Sequence, residues 1–192
     1  MSTALGNRIA VYGPSGSGKT TFSRELGARL SLPVIELDAV YHCRPGWNDL
    51  SDQEFREATG RVLAEHPGGW VIDGNYGMVR DLILPHADTA IWLRLPFHVV
   101  YPRLVRRTVG RMWTREMLWD TNYESFRLSF TSRESILLWG LTNWRPHRQK
   151  MREALRTANP DTRIVVLRTP AEVSGFLKAL PDRSVEAVPY PL

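Results

Sequence analysis

The chain has 192 residues, of which 43% are hydrophobic and 23% charged, and its net charge is +5. These values suit one globular domain with a hydrophobic core, and the single cysteine, Cys43, excludes a disulfide framework and favours a reducing compartment. The first eight residues lack the apolar stretch of a signal peptide, and no run of about 18 apolar residues occurs, so we expect a cytoplasmic protein that does not enter a membrane.

The first predicted elements are a strand, a glycine-rich loop and a helix. The apolar run "RIAVY" (8–12) predicts the strand, and the recurrence of Phe22, Leu26 and Leu30 at a spacing of four predicts the helix. Between them, "GPSGSGKT" (13–20) follows the pattern GxxxxGKT. Its glycines let successive N–H groups point into one concavity, beside the positive end of the helix dipole. This context predicts a phosphate-binding loop rather than an accidental glycine turn or a dinucleotide fingerprint.

The loop residues have separate predicted roles. Lys19 supplies a positive charge for the β and γ phosphates and is also a predicted catalytic residue, and the Thr20 hydroxyl is predicted to bind Mg²⁺. We therefore expect ATP and Mg²⁺ as cofactors. The predicted nucleotide-binding residues of the loop are Gly13, Ser15, Gly16, Ser17, Gly18, Lys19, Thr20 and Thr21.

Further apolar runs alternate with helical patterns along the rest of the chain. Short, near-continuous apolar runs are typical of strands buried on both faces of a parallel sheet. Ser51 with Glu54 forms a capping box before a helix that ends near residue 65, and Thr169, Pro170 and Glu172 form another helix start. The predicted strands are 8–12, 33–37, 69–73, 89–95 and 162–167. The alternation predicts a three-layer α/β fold with a five-stranded parallel sheet.

The domain organisation is predicted to be simple. Residues 1–180 form one domain, and residues 181–192 form a Pro-rich tail. Pro96 opens a helix, and the segment 133–159 is predicted to form two helices that are broken near Pro146. Residues 96–150 are thus interpreted as a helical insert.

Two aspartates end predicted strands, where an open sheet binds its ligands. Asp73 in "GWVIDGNY" follows three apolar residues, and its position favours a Walker-B type Mg²⁺ site over a turn or helix cap. Asp38 in "PVIELDAVYH" is positioned to accept the proton of an acceptor hydroxyl, or to help hold Mg²⁺. The loops after these strands carry the predicted acceptor pocket. Its predicted members are Asp38, Tyr41, His42, Trp47, Asn75, Tyr76 and Arg80; His42 is an orienting donor or a plain surface residue.

The chain resembles the adenylate kinase-like P-loop NTPases, which include the nucleoside and nucleotide kinases. It is more closely similar to the bacterial topology modulation proteins. The resemblance extends to about residue 180 and rests on "RIAVYGPSGSGKTTFSRELG", "LPVIELDAVYHCRPGW", "WVIDGNYGMVRDLILPHADTAIWLRLP", "TSRESILLWGL" and "RIVVLRTPAEVSGFL". The loop is specific for a nucleotide, whereas none of these blocks specifies the phosphoryl acceptor.

The resemblance also implies a lid whose arginines close over ATP. An arginine that neutralises the transferring phosphoryl group accelerates its transfer. Arg107 and Arg111 share one helix face after Pro96, and we expect both to be catalytic. Arg148 is the next candidate and is predicted to contact the nucleotide.

The segment 94–152 is basic and aromatic. It contains eleven Arg and one Lys against four acids. A solvated basic face is the plain alternative for each arginine. The Trp, Tyr and Phe residues of the insert favour a small core or an oligomer contact over stacking on a nucleic acid. Nucleic acid is therefore a possible partner that we do not favour.

Two functional hypotheses remain at this point. The first is an ATP- and Mg²⁺-dependent phosphotransferase that acts on a small hydroxyl or phosphate compound. The second is a regulatory ATP-binding protein that contacts nucleic acid or a protein partner through its basic aromatic insert. Asp38 favours the first hypothesis.

Overall fold

The computed structural model describes residues 5–45, 48–114, 117–118, 122–123 and 144–181, and between 111 and 123 it describes the backbone alone. Strands and helices alternate along the chain. The strands are β1 (Arg8–Tyr12), β2 (Val34–Glu36), β3 (Trp70–Asp73), β4 (Thr89–Leu93), β5 (Met117–Leu118), β6 (Asn122–Tyr123) and β7 (Arg163–Leu167). The helices are α1 (Lys19–Leu30), α2 (Leu37–Tyr41), α3 (Asp52–Glu65), α4 (Arg80–Ile83), α5 (Phe97–Thr114), α6 (Trp144–Arg156) and α7 (Pro170–Lys178), with 3₁₀ turns at Gly77–Val79 and Leu84–His86.

Five strands form one parallel sheet in the order β2-β3-β1-β4-β7. The central strand β1 pairs with β3 on one side and with β4 on the other, and Val11 lies opposite both Asp73 and Ile91. All five strands end at the same edge of the sheet, where open α/β folds bind their ligands. The predicted five-stranded parallel sheet is confirmed. A separate antiparallel pair, β5 with β6, follows α5.

The sheet is buried on both faces, which makes the fold three-layered. Alternate strand residues such as Ile9 and Val11 pack with Phe22 and Leu26 of α1 on one face. Their neighbours in β1, Ala10 and Tyr12, belong to the core on the other face, together with residues of α3, α4 and α6. Because each strand contributes to both cores, its residues are nearly all apolar.

The helix starts follow the predicted capping signals. The Ser51 side chain accepts a hydrogen bond from the Glu54 N–H, and the Glu54 carboxylate accepts one from the Ser51 N–H at 2.9 Å. At α7 the Thr169 hydroxyl accepts from the Glu172 N–H at 3.1 Å. Each cap satisfies N–H groups that the first helical turn leaves without a partner.

One predicted boundary was wrong, and one is not tested. The second strand ends at Glu36, so Asp38 lies in the first turn of α2 rather than at the end of a strand. The predicted break near Pro146 stays a prediction because residues 133–143 lie outside the described residues, and α6 begins at Trp144 and contains Pro146 in its first turn. Proline is tolerated there, since the first-turn N–H groups have no partner within the helix.

Several predictions lie outside the described residues. They concern the tail at 182–192, Trp47 and most of the aromatic insert. The predicted oligomer contact or nucleic-acid contact of the insert therefore stays a prediction. In the part of the chain that the structure describes, no helix has both the length and the apolar character needed to cross a membrane.

Candidate active site

The glycine-rich loop connects β1 to α1 and turns through two left-handed residues. Gly16 has φ 85° and Gly18 has φ 86°, a region that favours glycine. The Ser17 N–H donates to the Pro14 carbonyl at 3.0 Å and closes the turn. A Cβ atom on Gly16 would lie 2.5 Å from the Val100 carbonyl oxygen of α5. The loop is therefore packed against α5 at Gly16, whereas Gly18 is exposed and a Cβ added there would meet no atom within 4 Å.

An amide side chain joins this loop to the segment after β3. The Gly13 N–H donates to Oδ1 of Asn75 at 3.0 Å, and Nδ2 of Asn75 donates back to the Gly13 carbonyl. Both ends of the amide are thus engaged by the first glycine of the loop. Asn75 was predicted to bind the acceptor, whereas its described contacts position the loop.

A hydroxyl and a carboxylate meet where α1 begins and β3 ends. Oγ1 of Thr20 donates to Oδ2 of Asp73 at 2.6 Å. Asp73 is only 4% exposed, and its Oδ1 has no hydrogen-bond partner among the described residues. Burial raises the pKa of Asp73, while the charge of Lys19 and the hydrogen bond from Thr20 lower it. A buried carboxylate oxygen without a partner, beside a hydroxyl, fits a hard cation such as Mg²⁺.

Hydrogen bonds connect Asp38 to a second group of polar side chains. The Tyr76 hydroxyl donates to Oδ1 of Asp38 at 2.8 Å, and it lies 3.4 Å from Nε2 of His42. Nδ1 of His42 in turn lies 2.5 Å from Oδ1 of Asp49. Burial, and then the negative charge of Asp38, raise the pKa of Tyr76. The Tyr76 hydroxyl therefore stays protonated and orients the exposed Asp38 carboxylate.

Aromatic packing holds these polar groups in position. The rings of Tyr41, Phe55 and Tyr76 contact one another pairwise, with centroids 4.9 to 5.1 Å apart. Phe55 is fully buried, which stabilises the fold by about 1.5–3 kcal/mol. Tyr41, His42 and Tyr76 were predicted to lie together in the acceptor pocket, and the structure brings all three together next to Asp38.

Helix α6 brings a histidine towards the same edge of the sheet. Burial, and then the positive charges of Lys19, Arg80 and Lys150, lower the pKa of His147 to about 4. Arg80 is half-buried, and its Nη2 donates to the Asn75 carbonyl at 3.4 Å. The sequence analysis missed His147. The spacing of His147, Met151 and Leu155 at i, i+4 and i+8 is the signal that places it on the buried face of α6.

Among the predicted lid arginines, the structure describes the side chains of Arg107 and Arg148, and their lid role stays a prediction. Arg107 is exposed on α5, and of Arg111 only the backbone is described. Arg148 lies on α6 with its guanidinium carbon 5.6 Å from the centre of the Trp144 ring. Of the remaining predicted nucleotide-binding residues, Ser15 is half-buried and Thr21 is exposed.

Similar proteins support a P-loop kinase-like chain. The shikimate kinase of Paramagnetospirillum magneticum is 29% identical over 124 residues, which cover 58% of this chain and 61% of that protein. The shikimate kinase of Nitratidesulfovibrio vulgaris is 31% identical over 116 residues, which cover 52% of this chain and 63% of that protein. The chain thus spans less than two thirds of the length of these relatives.

Solved structures share the fold at lower identity. The shikimate kinase of Bacteroides thetaiotaomicron superposes with a TM-score of 0.53 at 13% identity, covering 94% of this chain and 98% of that one. The shikimate kinase of Acinetobacter baumannii, solved with shikimate, gives a TM-score of 0.51 at 17% identity and covers 97% and 96%. These likenesses concern the fold alone.

The family model described as an AAA domain (AAA_18) matches residues 9–117, which is more than half of the chain. The match includes the glycine-rich loop and both aspartates. The narrower resemblance to topology modulation proteins stays a prediction. With its loop, helix and parallel sheet arranged as in P-loop kinases, the chain belongs to the AAA domain family.

Proposed function

We propose that this protein is an ATP- and Mg²⁺-dependent kinase that transfers the γ-phosphoryl group of ATP to a hydroxyl of a small molecule. The observation that carries this proposal is the exposed Asp38 carboxylate, which accepts a 2.8 Å hydrogen bond from Tyr76. It lies just after β2, at the edge of the sheet that also carries the glycine-rich loop after β1. A carboxylate in this position suits the removal of a proton from a bound hydroxyl.

ATP binds in this proposal with its phosphates in the glycine-rich loop. The N–H groups of the loop and of the first turn of α1 donate to phosphate oxygens, and Lys19 contacts the β and γ phosphates. The Asn75 side chain supports the loop because its Oδ1 accepts a hydrogen bond from the Gly13 N–H. Arg107, Arg111 and Arg148 remain our candidates for the arginines that close over the nucleotide.

Thr20 and Asp73 hold Mg²⁺ in this proposal. The ion supplies positive charge that neutralises the phosphate oxygens during transfer. Thr20 offers its hydroxyl oxygen, and Asp73 offers the buried Oδ1 that has no partner among the described residues. Both side chains are already joined by the 2.6 Å hydrogen bond, so little reorganisation is needed.

The acceptor hydroxyl lies in this proposal between Asp38 and the γ-phosphoryl group. Asp38 accepts the hydroxyl proton as the acceptor oxygen forms a bond to the γ-phosphorus. The bond from that phosphorus to the β–γ bridging oxygen breaks, and ADP leaves. Tyr76 keeps Asp38 oriented, and the proton on Asp38 then passes to water.

The class of acceptor follows from the groups around Asp38. Tyr41, His42 and Tyr76 offer ring faces and hydrogen bonds, and we include Trp47 in this pocket as a sequence prediction. Arg80 offers a cation for an anionic group of the acceptor. Relatives are named shikimate kinases and one solved structure is named a sugar kinase, so we propose a polyhydroxylated acid or sugar. These relatives are kinases by name and give no support to the regulatory hypothesis.

A phosphate acceptor is the second candidate, and the cations favour it. Arg80 lies near His147 and Tyr12: after burial and Lys19, its charge contributes to the lowered pKa of His147, and it opposes the rise that burial causes in the pKa of Tyr12. The guanidinium group of the half-buried Arg80 suits a nucleotide phosphate as well as a carboxylate. In that case Asp38 would not be needed as a base.

The test is an ATP-consumption screen over separate pools of polyhydroxylated acids, sugars, nucleosides and nucleotides. Lys19→Ala serves as the blank. On the acceptor that is found, Asp38→Asn should lower turnover by about 10²–10⁴-fold with ATP affinity nearly unchanged. The exposed Asp161→Asn is the control for loss of one carboxylate. Full turnover of Asp38→Asn would favour the phosphate acceptor, and no consumption above the blank in any pool would contradict the kinase proposal.

A further inference from the structure

Helix α6 has one flank that lies outside the core and outside the groups around Asp38 and Asp73, and only its Arg148 is also a candidate closing arginine of the proposed kinase site. Its core face carries Met151 and Leu155. His147 lies close enough to Lys19 that, after burial, the positive charge of Lys19 lowers the pKa of His147. The other flank faces the connection between β4 and α5 across a cavity of about 1100 Å³. In the part of the chain that the structure describes, five arginines line this cavity: Arg94, Arg145, Arg148, Arg152 and Arg156.

The charge of this cavity is strongly unbalanced. Among the described residues, Glu153 is the single carboxylate that lines it, and its Oε1 accepts a 3.1 Å hydrogen bond from Gln149. Within the described ranges, none of the five arginines forms an ion pair with a carboxylate. Five like charges around one space repel each other, and an anion between them removes that repulsion.

The structure shows that these cations lie close to one another. Burial, and then the charges of Arg94 and Arg152, lower the pKa of Arg148. The buried Nε of Arg94 has no hydrogen-bond acceptor among the described residues. An N–H group that is buried without an acceptor costs free energy until a ligand supplies one.

Aromatic rings hold two of the guanidinium groups in place. The guanidinium carbon of Arg94 lies 5.4 Å from the centre of the Trp92 ring, and that of Arg148 lies 5.6 Å from the centre of the Trp144 ring. The Trp144 ring itself contacts Phe97 edge-to-face at 5.4 Å. A guanidinium held over a ring keeps its N–H edge available for a bidentate contact with a phosphate.

We infer that the cavity between α6 and the β4–α5 connection is a binding site for a small polyanion that carries two or more linked phosphate groups. Its volume is of the order of other small-molecule sites, about 300–1000 Å³. Its walls are one helix flank and one short connection, which suits a compact ligand better than a long nucleic acid backbone. Phe97 and Trp144 add apolar surface for a base or other non-polar part.

The test is calorimetric titration of inorganic tripolyphosphate into the full chain. The titration is performed in Lys19→Ala, because that substitution weakens phosphate binding at the glycine-rich loop. We expect Lys19→Ala to bind one tripolyphosphate, with an affinity that falls as salt rises. Adding Arg152→Ala should weaken this binding at least about tenfold, since hydrogen bonds to charged groups contribute more than ordinary ones. Arg152→Lys should restore only part of it, because lysine lacks the planar fork.

Matched controls separate the cavity from general charge. Arg61→Ala removes one positive charge from an exposed position on α3 and should leave the affinity unchanged. Arg156→Ala repeats the test if Arg152→Ala does not fold. Parallel titrations with pyrophosphate and with ATP show whether the phosphates suffice or a base adds affinity. Every titration measures binding, so the result does not depend on kinase activity.

Three outcomes would overturn the proposal. The first is the absence of tripolyphosphate binding in Lys19→Ala. The second is an equal loss of affinity in Arg152→Ala and Arg61→Ala. The third is tighter binding of a single-stranded oligonucleotide than of tripolyphosphate, with the same loss in Arg152→Ala, since the flank would then be a nucleic acid surface.

Discussion

The hydroxyl of Thr20 donates a 2.6 Å hydrogen bond to the carboxylate of Asp73, and this contact joins the first turn of α1 to the end of β3. The two residues are 53 positions apart in the chain. They meet because β3 pairs with β1 in a register that sets Asp73 opposite Val11.

Replacement of Asp73 by asparagine should raise the Mg²⁺ requirement of the proposed phosphoryl transfer. Asparagine keeps the shape of the side chain and an acceptor for Thr20, but it removes the charge that holds the cation. We expect the Mg²⁺ concentration at half-maximal activity to rise at least about tenfold, as for loss of one charge-assisted contact. A Mg²⁺ titration of turnover checks this, with exposed Asp161→Asn as the control. An unchanged Mg²⁺ dependence would remove Asp73 from the proposed metal site.

Lys19→Ala should weaken binding of Mg-ATP without unfolding the protein. Lys19 is only half-buried, so its loss leaves no cavity in the core. Its charge contacts the β and γ phosphates in the proposed site, and a lost charge-assisted contact costs about 1.5–3 kcal/mol of binding. Calorimetry of Mg-ATP measures the affinity, and a thermal melt checks the fold. Exposed Lys178→Ala is the matched control. Equal affinities in both variants would contradict the assignment of the loop.

Tyr76→Phe should lower kcat more than it raises KM for ATP. The substitution keeps the ring packing with Tyr41 and Phe55 and removes only the hydroxyl that orients Asp38. We expect a loss in kcat of about tenfold, the effect of about 1.4 kcal/mol. Steady-state kinetics with ATP and with the acceptor measure the two constants. A variant in which only the melting temperature changes would show that Tyr76 is structural.

Arg107→Ala should reduce turnover if α5 supplies a closing arginine. An arginine that neutralises the transferring phosphoryl group contributes about 10³-fold or more to kcat. Exposed Arg103→Ala is the control, because it removes the same charge from a neighbouring position on α5. Arg111→Ala tests the second sequence prediction in the same assay. Normal kcat in both lid variants, together with tight DNA binding at about 0.15 M salt, would favour a nucleic acid surface instead.

The stability of the protein should fall as the pH drops from 6.5 towards 4, in part because of His147. Burial and three nearby cations lower the pKa of His147 from 6.5 to about 4 in the folded protein. In this window the unfolded chain binds a proton that the folded protein does not, so acidification favours unfolding. His147→Gln should therefore lose less stability than the parent between neutral and acidic pH.

Urea unfolding at about pH 7 and about pH 5 measures this difference. Exposed His86→Gln is the control and should behave like the parent protein. If His147→Gln loses as much stability as the parent on acidification, another group is responsible.

The local features of this protein were readable in its sequence. The strand, glycine-rich loop and helix at 8–30 are consecutive in the chain, so local patterns were enough to predict them, and the left-handed φ values of Gly16 and Gly18 favour glycine there. The capping box of Ser51 and Glu54 likewise involves residues three positions apart. Continuous apolar strands predicted a doubly covered parallel sheet, because both faces of each strand must be buried.

Only the tertiary structure decided which side chains meet. Asn75 contacts Gly13 across 62 positions, and Tyr76 contacts Asp38 across 38, because β3 lies between β1 and β2 in the sheet. Strand order is not encoded in any single run of residues, so the role of Asn75 was unpredictable from the sequence. His147 was missed for the same reason: the packing of α6 on the sheet brings it towards Lys19 and lowers its pKa. The sequence by itself determined the phosphate-binding loop and the fold class, through local patterns, whereas the pairing of distant groups around Asp38 and Asp73 required the strand order and helix packing of the folded chain.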